Sequence, residues 1–232
     1  MTYENVTCGH FLRRPNRFIA QVVINGEEET VHVKNTGRCR ELLQPGVKVW
    51  LSIADNPLRK TKYDLIAVEK QRNGQTSLLV NIDSQIPNAA AIEWLPNSGL
   101  FSPETKFFRE KTYGNSRFDL YVEDGTRKAF IEVKGVTLEH DGVASFPDAP
   151  TLRGVKHLKE LTAALSEGYE AYILFVVQMK EIRKLCPNDE THREFGEALR
   201  EAHRAGVHIL AMDCLITPQK LCIDAPVKVD LA

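Results

Sequence analysis

Four residues in the second half of the chain have the types and spacing that metal-assisted chemistry at a phosphate requires. Glu132-Val133-Lys134 sets a carboxylate and an ammonium two positions apart, which in a strand is one face. Asp119 lies one short strand upstream and Glu110 one strand before that. Asp124-Gly125 reads as a two-residue hairpin centre, which sets Asp119 opposite Phe130 and Arg117 opposite Glu132. Gly114-Asn115 reads as the preceding turn and sets Glu110 opposite Asp119. Side chains alternate along each strand, so Glu110, Asp119, Glu132 and Lys134 gather on one sheet face. Carboxylates held together repel one another and favour a hard divalent cation, so Mg²⁺ or Mn²⁺ on Asp119 and Glu132 is the expected cofactor, with the Val133 carbonyl as a further ligand. Such a cation polarises a phosphate oxygen and activates a water. Lys134 then positions the water, and Glu110 is an auxiliary acid. The bland alternative is a solvated face of ion pairs with Arg117 on Glu132. Glu and Lys are common, and the residues alone leave both open.

The elements that must carry these residues fall into two textures. Residues 1–85 read as short strands: Arg17–Ile24, an Asn25-Gly26 turn, Thr30–Val33, a Pro45-Gly46 turn, Val47–Ile53, Tyr63–Glu69 and Ser77–Asn81. About five strands in that length predict a small closed barrel, OB-like in size. The pattern changes near Pro87. Asn88 is placed to cap a short helix through Leu95, and strands follow at about 106–113, 117–122 and 127–134. Leu152–Ser166 has helical periodicity with Gly168 behind it, Glu170–Val177 is an apolar strand, Thr191–Ala205 is a second helix, and Val207–Met212 is a last buried strand. Alternation of helix and strand predicts an α/β domain with a mixed, partly parallel sheet over residues 86–232. Phe146-Pro147-Asp148-Ala149-Pro150 is placed as a connector or a loop over the carboxylate face.

Composition is that of a globular chain, with 43% hydrophobic residues and a net charge of −1. No apolar run reaches membrane-spanning length, and Met1–Asn5 lacks a secretion-signal pattern, so a cytoplasmic protein without membrane association is expected. The five cysteines form no CxxC pair and are expected as free thiols. Charge is unevenly spread: residues 1–85 hold 12 Lys and Arg against 9 Asp and Glu, and the remainder 18 against 22. Arg13, Arg14 and Arg17 cluster early, Arg38 and Arg40 follow Asn35-Thr36-Gly37, and Arg59, Lys60 and Lys62 flank a loop. Such clusters contact phosphates in nucleic-acid binders, or form an ordinary charged surface. Phe11, Phe18, Trp50 and Tyr63 could stack bases or fill the core. Arg153, His157 and Glu160 share one helix face opposite the Leu stripe and either border the carboxylate site or face solvent.

Several motifs in a fixed order then carry a resemblance: Asn35-Thr36-Gly37-Arg38, Arg109–Asp119, Glu132–Thr137, Phe146–Ala149 and Arg153–Leu161. Together they resemble the sugar fermentation stimulation protein A family from about Arg13 to Cys214. Val33-Lys34 and Cys39 depart from what the family sets beside the Asn-Thr-Gly core. The resemblance implies an N-terminal OB-like DNA-binding barrel and a restriction-endonuclease-like α/β domain of PD-(D/E)xK type. It sets Asp119, Glu132 and Lys134 at the motif positions, with Glu110 as the upstream acid. The expectation is a DNA-binding protein with a divalent-metal-dependent nuclease-like site and a link to sugar utilisation. It binds DNA without strong sequence preference through Arg13, Arg14, Arg17, Arg38, Arg153 and His157, and a homodimer fits the same reading. The alternatives are a non-catalytic DNA-binding regulator on the same fold, because a nuclease fold can serve binding alone, and an RNA-processing factor, because OB-like barrels bind either acid.

Overall fold

The computed structural model describes residues 1–232 except Thr36, Pro57, Asn73 and Gln75. The Asn35-Thr36-Gly37-Arg38 motif therefore has its threonine outside the described residues. The chain divides into two units.

The first unit holds β1 (Val6–Asn16), β2 (Ile19–Ile24), β3 (Glu27–Val33), β4 (Lys48–Ile53), β5 (Tyr63–Lys70) and β6 (Leu78–Asn81). Their order is β3-β2-β1-β4-β5-β6, and a parallel β3–β5 pairing through His32 and Asp64 closes the first five into a barrel. This is the expected OB-like element, and it removes the free edges an open sheet would expose. Val22, Val31, Val49, Leu51 and Leu65 are buried on its strands. The long strand β1 was not legible, because Gly9, His10, Arg13 and Arg14 interrupt any apolar alternation. Its Gly9 is dictated by contact: a Cβ there would meet the Val23 carbonyl oxygen at 2.6 Å.

Arg14 on β1 does not stand free on this surface. Its guanidinium donates to four carbonyl oxygens, of Asn35 (2.5 Å), Arg17 (2.6 Å), Gly37 (2.7 Å) and Arg38 (2.8 Å). It thus ties two loops to the barrel, whereas the sequence grouped it with Arg13 and Arg17 as a phosphate contact. Phe11 and Tyr63 are core residues, whereas Phe18 is about half exposed with the Arg17 guanidinium over its ring.

A buried acid stabilises the barrel closure. Asp64 on β5 accepts from Arg59 (2.6 and 2.9 Å) and bonds His32 Nδ1 (2.8 Å), with Lys34 at 3.7 Å. Burial raises its pKa, but the bonds from Arg59 and His32 and the charge of Lys34 outweigh that and hold the carboxyl below its ordinary value. A depressed folded-state pKa contributes stability above the unfolded value of about 3.9 that is lost as pH falls through the lower folded value. Asp64→Asn should cost about 1–3 kcal/mol at neutral pH, less than a fully buried ion pair because Arg59 and Lys34 reach water. It should also flatten the acid limb of a urea-unfolding series below about pH 4. An unchanged acid limb would exclude Asp64 as its source.

The second unit contains α1 (Ile86–Trp94, shared at Ile86 with the first), β7 (Lys106–Tyr113), β8 (Ser116–Asp124), β9 (Arg127–Val136), β10 (Glu139–His140), β11 (Val143–Phe146), α2 (Leu152–Ser166), β12 (Glu170–Val177), β13 (Lys184–Pro187), α3 (Asp189–Ala205) and β16 (Lys228–Val229), with β14 (His208–Thr217) and β15 (Lys220–Pro226) shared between the units. Its main sheet is ordered β15-β14-β12-β9-β8-β7, with β12 parallel to both β14 and β9 and antiparallel pairing on through β8 to β7. This is the expected mixed-sheet α/β domain. A small sheet, β10-β11-β13-β16, was not foreseen, and it includes Phe146 of the segment read as a connector.

Three differences from the sequence reading stand out. The domain division expected at 85/86 falls one residue later, and Gln178–Lys180 and Cys214–Cys222 return to the first unit. There the Gln178 amide donates to Asn81 and Asp83 oxygens, and Met1 and Tyr3 bond to Leu221 and Gln219. The first helix starts at Ile86, so Asn88 lies inside it and is not its cap. The β8–β9 turn is Gly125-Thr126, with Gly125 at φ 61°, and not Asp124-Gly125. Asp124 is a strand residue whose carboxylate accepts from Arg127 Nη1 at 2.9 Å. The pairing therefore slides by two residues, to Leu120 opposite Ile131. An even slide preserves which face each side chain takes.

No helix among the described residues is long and apolar enough to cross a membrane.

Candidate active site

Strands β8 and β9 bring the carboxylates together. Continuing their register by one residue sets Asp119 opposite Glu132, where the sequence set Phe130 and where it paired Arg117 with Glu132. Arg117 reaches Glu110 at 3.5 Å, an exposed pair. Glu132 is 2% exposed, and Asp119 is half-buried beside it.

Both carboxylates are held by their surroundings. Asp119 Oδ1 accepts from Asn88 Nδ2 on α1 at 2.7 Å, and Oδ2 accepts from the Val133 amide at 2.8 Å. Glu132 Oε1 accepts from Lys134 Nζ at 2.5 Å and meets His157 Nδ1 of α2 at 2.5 Å. Arg153 Nε donates to His157 Nε2 at 3.3 Å. A guanidinium can only donate, so Nε2 is the acceptor and the proton sits on Nδ1, directed at Glu132. Helix α2 is set for this by Thr151, whose Oγ1 accepts from Gly154 N at 3.0 Å and caps its first turn. His157 packs edge-on to Phe118 with centroids 5.8 Å apart and is 3% exposed. Of the two readings of the Arg153–His157–Glu160 face, solvent contact fails for His157.

The electrostatics diverge across the pair. Burial and then the negative charge of Glu132 push the Asp119 pKa up. Burial raises Glu132 too, but the His157 hydrogen bond and the Lys134 ammonium outweigh it and hold that carboxyl down.

A divalent cation fits part of this arrangement. Glu132 Oε2 is buried and has no hydrogen-bond partner among the described residues, an acceptor without a donor. Among the described residues, however, no three His, Cys, Asp or Glu side chains gather closely enough to cage a metal. A cation here would rest on Asp119, Glu132 and water, the sparse ligation Mg²⁺ tolerates.

Asp119 also opens onto a cleft of about 410 Å³ lined by Asn88, Ile92, Arg109 and Glu110. Glu110 is exposed and has φ 55°, an uncommon backbone state for a non-glycine residue that interrupts the β7 ladder between Arg109 and Lys111. Of the residues expected to act, Asp119, Glu132, Lys134, Arg153 and His157 come together, and Glu110 sits at the rim. Arg13, Arg17 and Arg38 are exposed on the first unit. Asn88 was missed in this role, although an asparagine inside a helix is disfavoured unless its side chain has other work.

Family comparison matches residues 12–82 to the SfsA N-terminal OB domain and residues 85–220 to the sugar fermentation stimulation protein RE domain. A sugar fermentation stimulation protein homolog of Desulfitobacterium hafniense (strain Y51) is 57% identical over 221 residues, covering 95% of this chain and 94% of the relative. One of Ruminiclostridium cellulolyticum is 52% identical over the full length of both chains. Among solved structures, that of Pyrococcus furiosus SfsA in complex with Ca²⁺ superposes with a TM-score of 0.85 at 28% identity, covering 99% of this chain and 98% of that one. Fold, domain order and sequence agree, and the chain belongs to the sugar fermentation stimulation protein family.

Proposed function

We propose that this protein binds DNA through its barrel and hydrolyses phosphodiester bonds at Asp119, Glu132 and Lys134 with Mg²⁺ or Mn²⁺. The observation that carries this is the buried, donor-free Glu132 Oε2 beside Asp119, on a strand that also delivers Lys134. The Pyrococcus furiosus relative was solved in complex with Ca²⁺, which is in keeping with a divalent cation in this family. When bound, the cation supplies a Lewis acid for the phosphate and an acidified water. The chain's own residues do the rest: Asn88 and the Val133 amide orient Asp119, His157 orients Glu132, and Lys134 offers the ammonium that directs the water. The relatives' name supports a link to sugar utilisation.

A second reading, a non-catalytic DNA-binding regulator, is favoured by how many of the site's polar atoms are already engaged within the protein, Glu132 Oε2 excepted. Lys134 and His157 both engage Glu132, and Asp119 uses both oxygens.

Both readings predict binding dominated by phosphate contacts. Affinity for duplex DNA should fall linearly in log–log against salt, with a slope near −0.9 per phosphate contacted. Replacing Arg13, Arg17 and Arg38 by Gln should flatten that slope by about one unit per lost contact, equally for unrelated sequences. Salt-insensitive binding measured by fluorescence anisotropy would exclude the barrel as a phosphate-reading surface.

A further inference from the structure

A second cleft, about 440 Å³, opens on the α2 side of the second unit and is lined by Asn115, Ser116, Arg117, Leu152, Arg153, Lys156 and His157. Three of these carry positive charge. Arg117 comes from the start of β8, and Arg153 and Lys156 from the first two turns of α2. The first turn of a helix also presents amide groups without helical partners and the positive end of its dipole. Inside this basic ring, Ser116 is 5% exposed and its Oγ has no hydrogen-bond partner among the described residues. A buried hydroxyl left unpaired costs free energy unless something completes it.

The cations are available at modest cost. Arg117 faces exposed Glu110 at 3.5 Å. Lys156 donates to the Asn115 carbonyl at 2.6 Å, with Glu160 at 4.0 Å. Arg153 spends only Nε on His157, and its terminal nitrogens have no hydrogen-bond partner among the described residues. Two guanidinium forks, one ammonium and one hydroxyl match the oxygens of a phosphate. Leu152, 74% exposed, gives the rim an apolar surface for a sugar or base. His157 lines this cleft and also bonds Glu132, so the cleft adjoins the carboxylate pair.

We propose that Ser116, Arg117, Arg153 and Lys156 form a phosphate-binding subsite that holds a backbone phosphate of the nucleic-acid strand beside Asp119 and Glu132. This rests on the nucleic-acid reading above but requires neither a metal nor hydrolysis. Ser116 Oγ donates one hydrogen bond to the phosphate, the arginines clamp it, and α2 orients it by its N-terminus.

The test is made in EDTA, which separates it from the metal chemistry. Inorganic phosphate is titrated into the protein by NMR, and a short fluorescent DNA oligonucleotide by anisotropy. The wild type should bind phosphate with shifts at the Ser116, Arg153 and Lys156 amides. The double variant Arg117→Gln/Arg153→Gln should weaken both ligands about tenfold or more, since each loses charge-assisted bonds. Ser116→Ala should weaken phosphate several-fold. If the double variant melts early, Lys156→Gln, which alters an exposed side chain, serves in its place. Absence of phosphate binding, or retention in these variants, overturns the subsite. Loss of phosphate binding with unchanged oligonucleotide affinity also overturns it, by showing a site for free phosphate. If no oligonucleotide binds even at low salt, the DNA-binding function fails and the subsite with it, an outcome told apart from loss of the subsite alone, in which the oligonucleotide still binds.

Discussion

Saturating Mn²⁺ or Mg²⁺ should raise the melting temperature of the wild-type protein, and Asp119→Asn and Glu132→Gln should each abolish that rise. A ligand that binds only the folded state at ten times its dissociation constant adds about 1.4 kcal/mol, or roughly 3–6 °C for a chain of this size. Each substitution keeps side-chain volume and removes one of the two charges that would attract the cation. The metal-free baselines should move little, because two effects oppose. Losing one charge relieves the repulsion that pushes Asp119 up. An amide in place of Asp119, however, offers a single acceptor to two donors, Asn88 Nδ2 and the Val133 amide. Glu132→Gln keeps one oxygen for His157 and Lys134 and sets its NH₂ where Oε2 lacks a partner. Differential scanning fluorimetry with metal and with EDTA reads both effects. A metal-dependent rise that survives in both variants would locate the cation elsewhere.

Arg14→Ala should unfold the barrel far more readily than any neighbouring arginine substitution. Its guanidinium satisfies four carbonyls at 2.5–2.8 Å while its Nε is buried without a partner. Charged hydrogen bonds contribute about 1.5–3 kcal/mol each, but four on one side chain are not additive, and a total loss of about 3–5 kcal/mol is expected. Arg13→Gln loses only an exposed contact with Glu28, and Arg17→Gln a cation–π contact over Phe18, so each should stay within about 0.5–1 kcal/mol of wild type. Urea unfolding checks the order. Wild-type stability in Arg14→Ala together with lost DNA affinity would return this residue to phosphate contact.

The contrast between Arg14 and its neighbours shows where sequence stops. Charge and clustering are the same for Arg13, Arg14 and Arg17, and only the carbonyls of Asn35, Gly37 and Arg38 decide which is consumed internally. Strand parity, by contrast, was legible: Glu132 and Lys134 share a face whatever the turn, and the two-residue slide at Gly125-Thr126 left Asp119 on it. The barrel was legible from its turns, although β1 hides behind a basic, glycine-interrupted stretch. The return of Gln178–Lys180 and Cys214–Cys222 to the first unit could not be read, because it depends on long-range bonds such as Gln178 to Asn81. Nor could the burial of His157, since helical spacing gave it a charged face and only packing against Phe118 reveals the partner. The resemblance supplied roles for residues whose spacing alone is common.

Hydrolysis at Asp119, Glu132 and Lys134 is read directly by a cleavage assay. Purified protein is incubated with end-labelled single- and double-stranded DNA and RNA, with Mg²⁺, with Mn²⁺ and with EDTA, alongside Glu132→Gln and Lys134→Ala. The wild type should cut DNA with metal and not in EDTA, and both variants should lose at least about 100-fold in rate, the scale of removing one electrostatic group from an active site. Their DNA affinity should remain near wild type. Binding without cleavage in either metal, unchanged in both variants, would contradict hydrolysis and leave the regulator; cleavage that persists in Glu132→Gln would contradict the site.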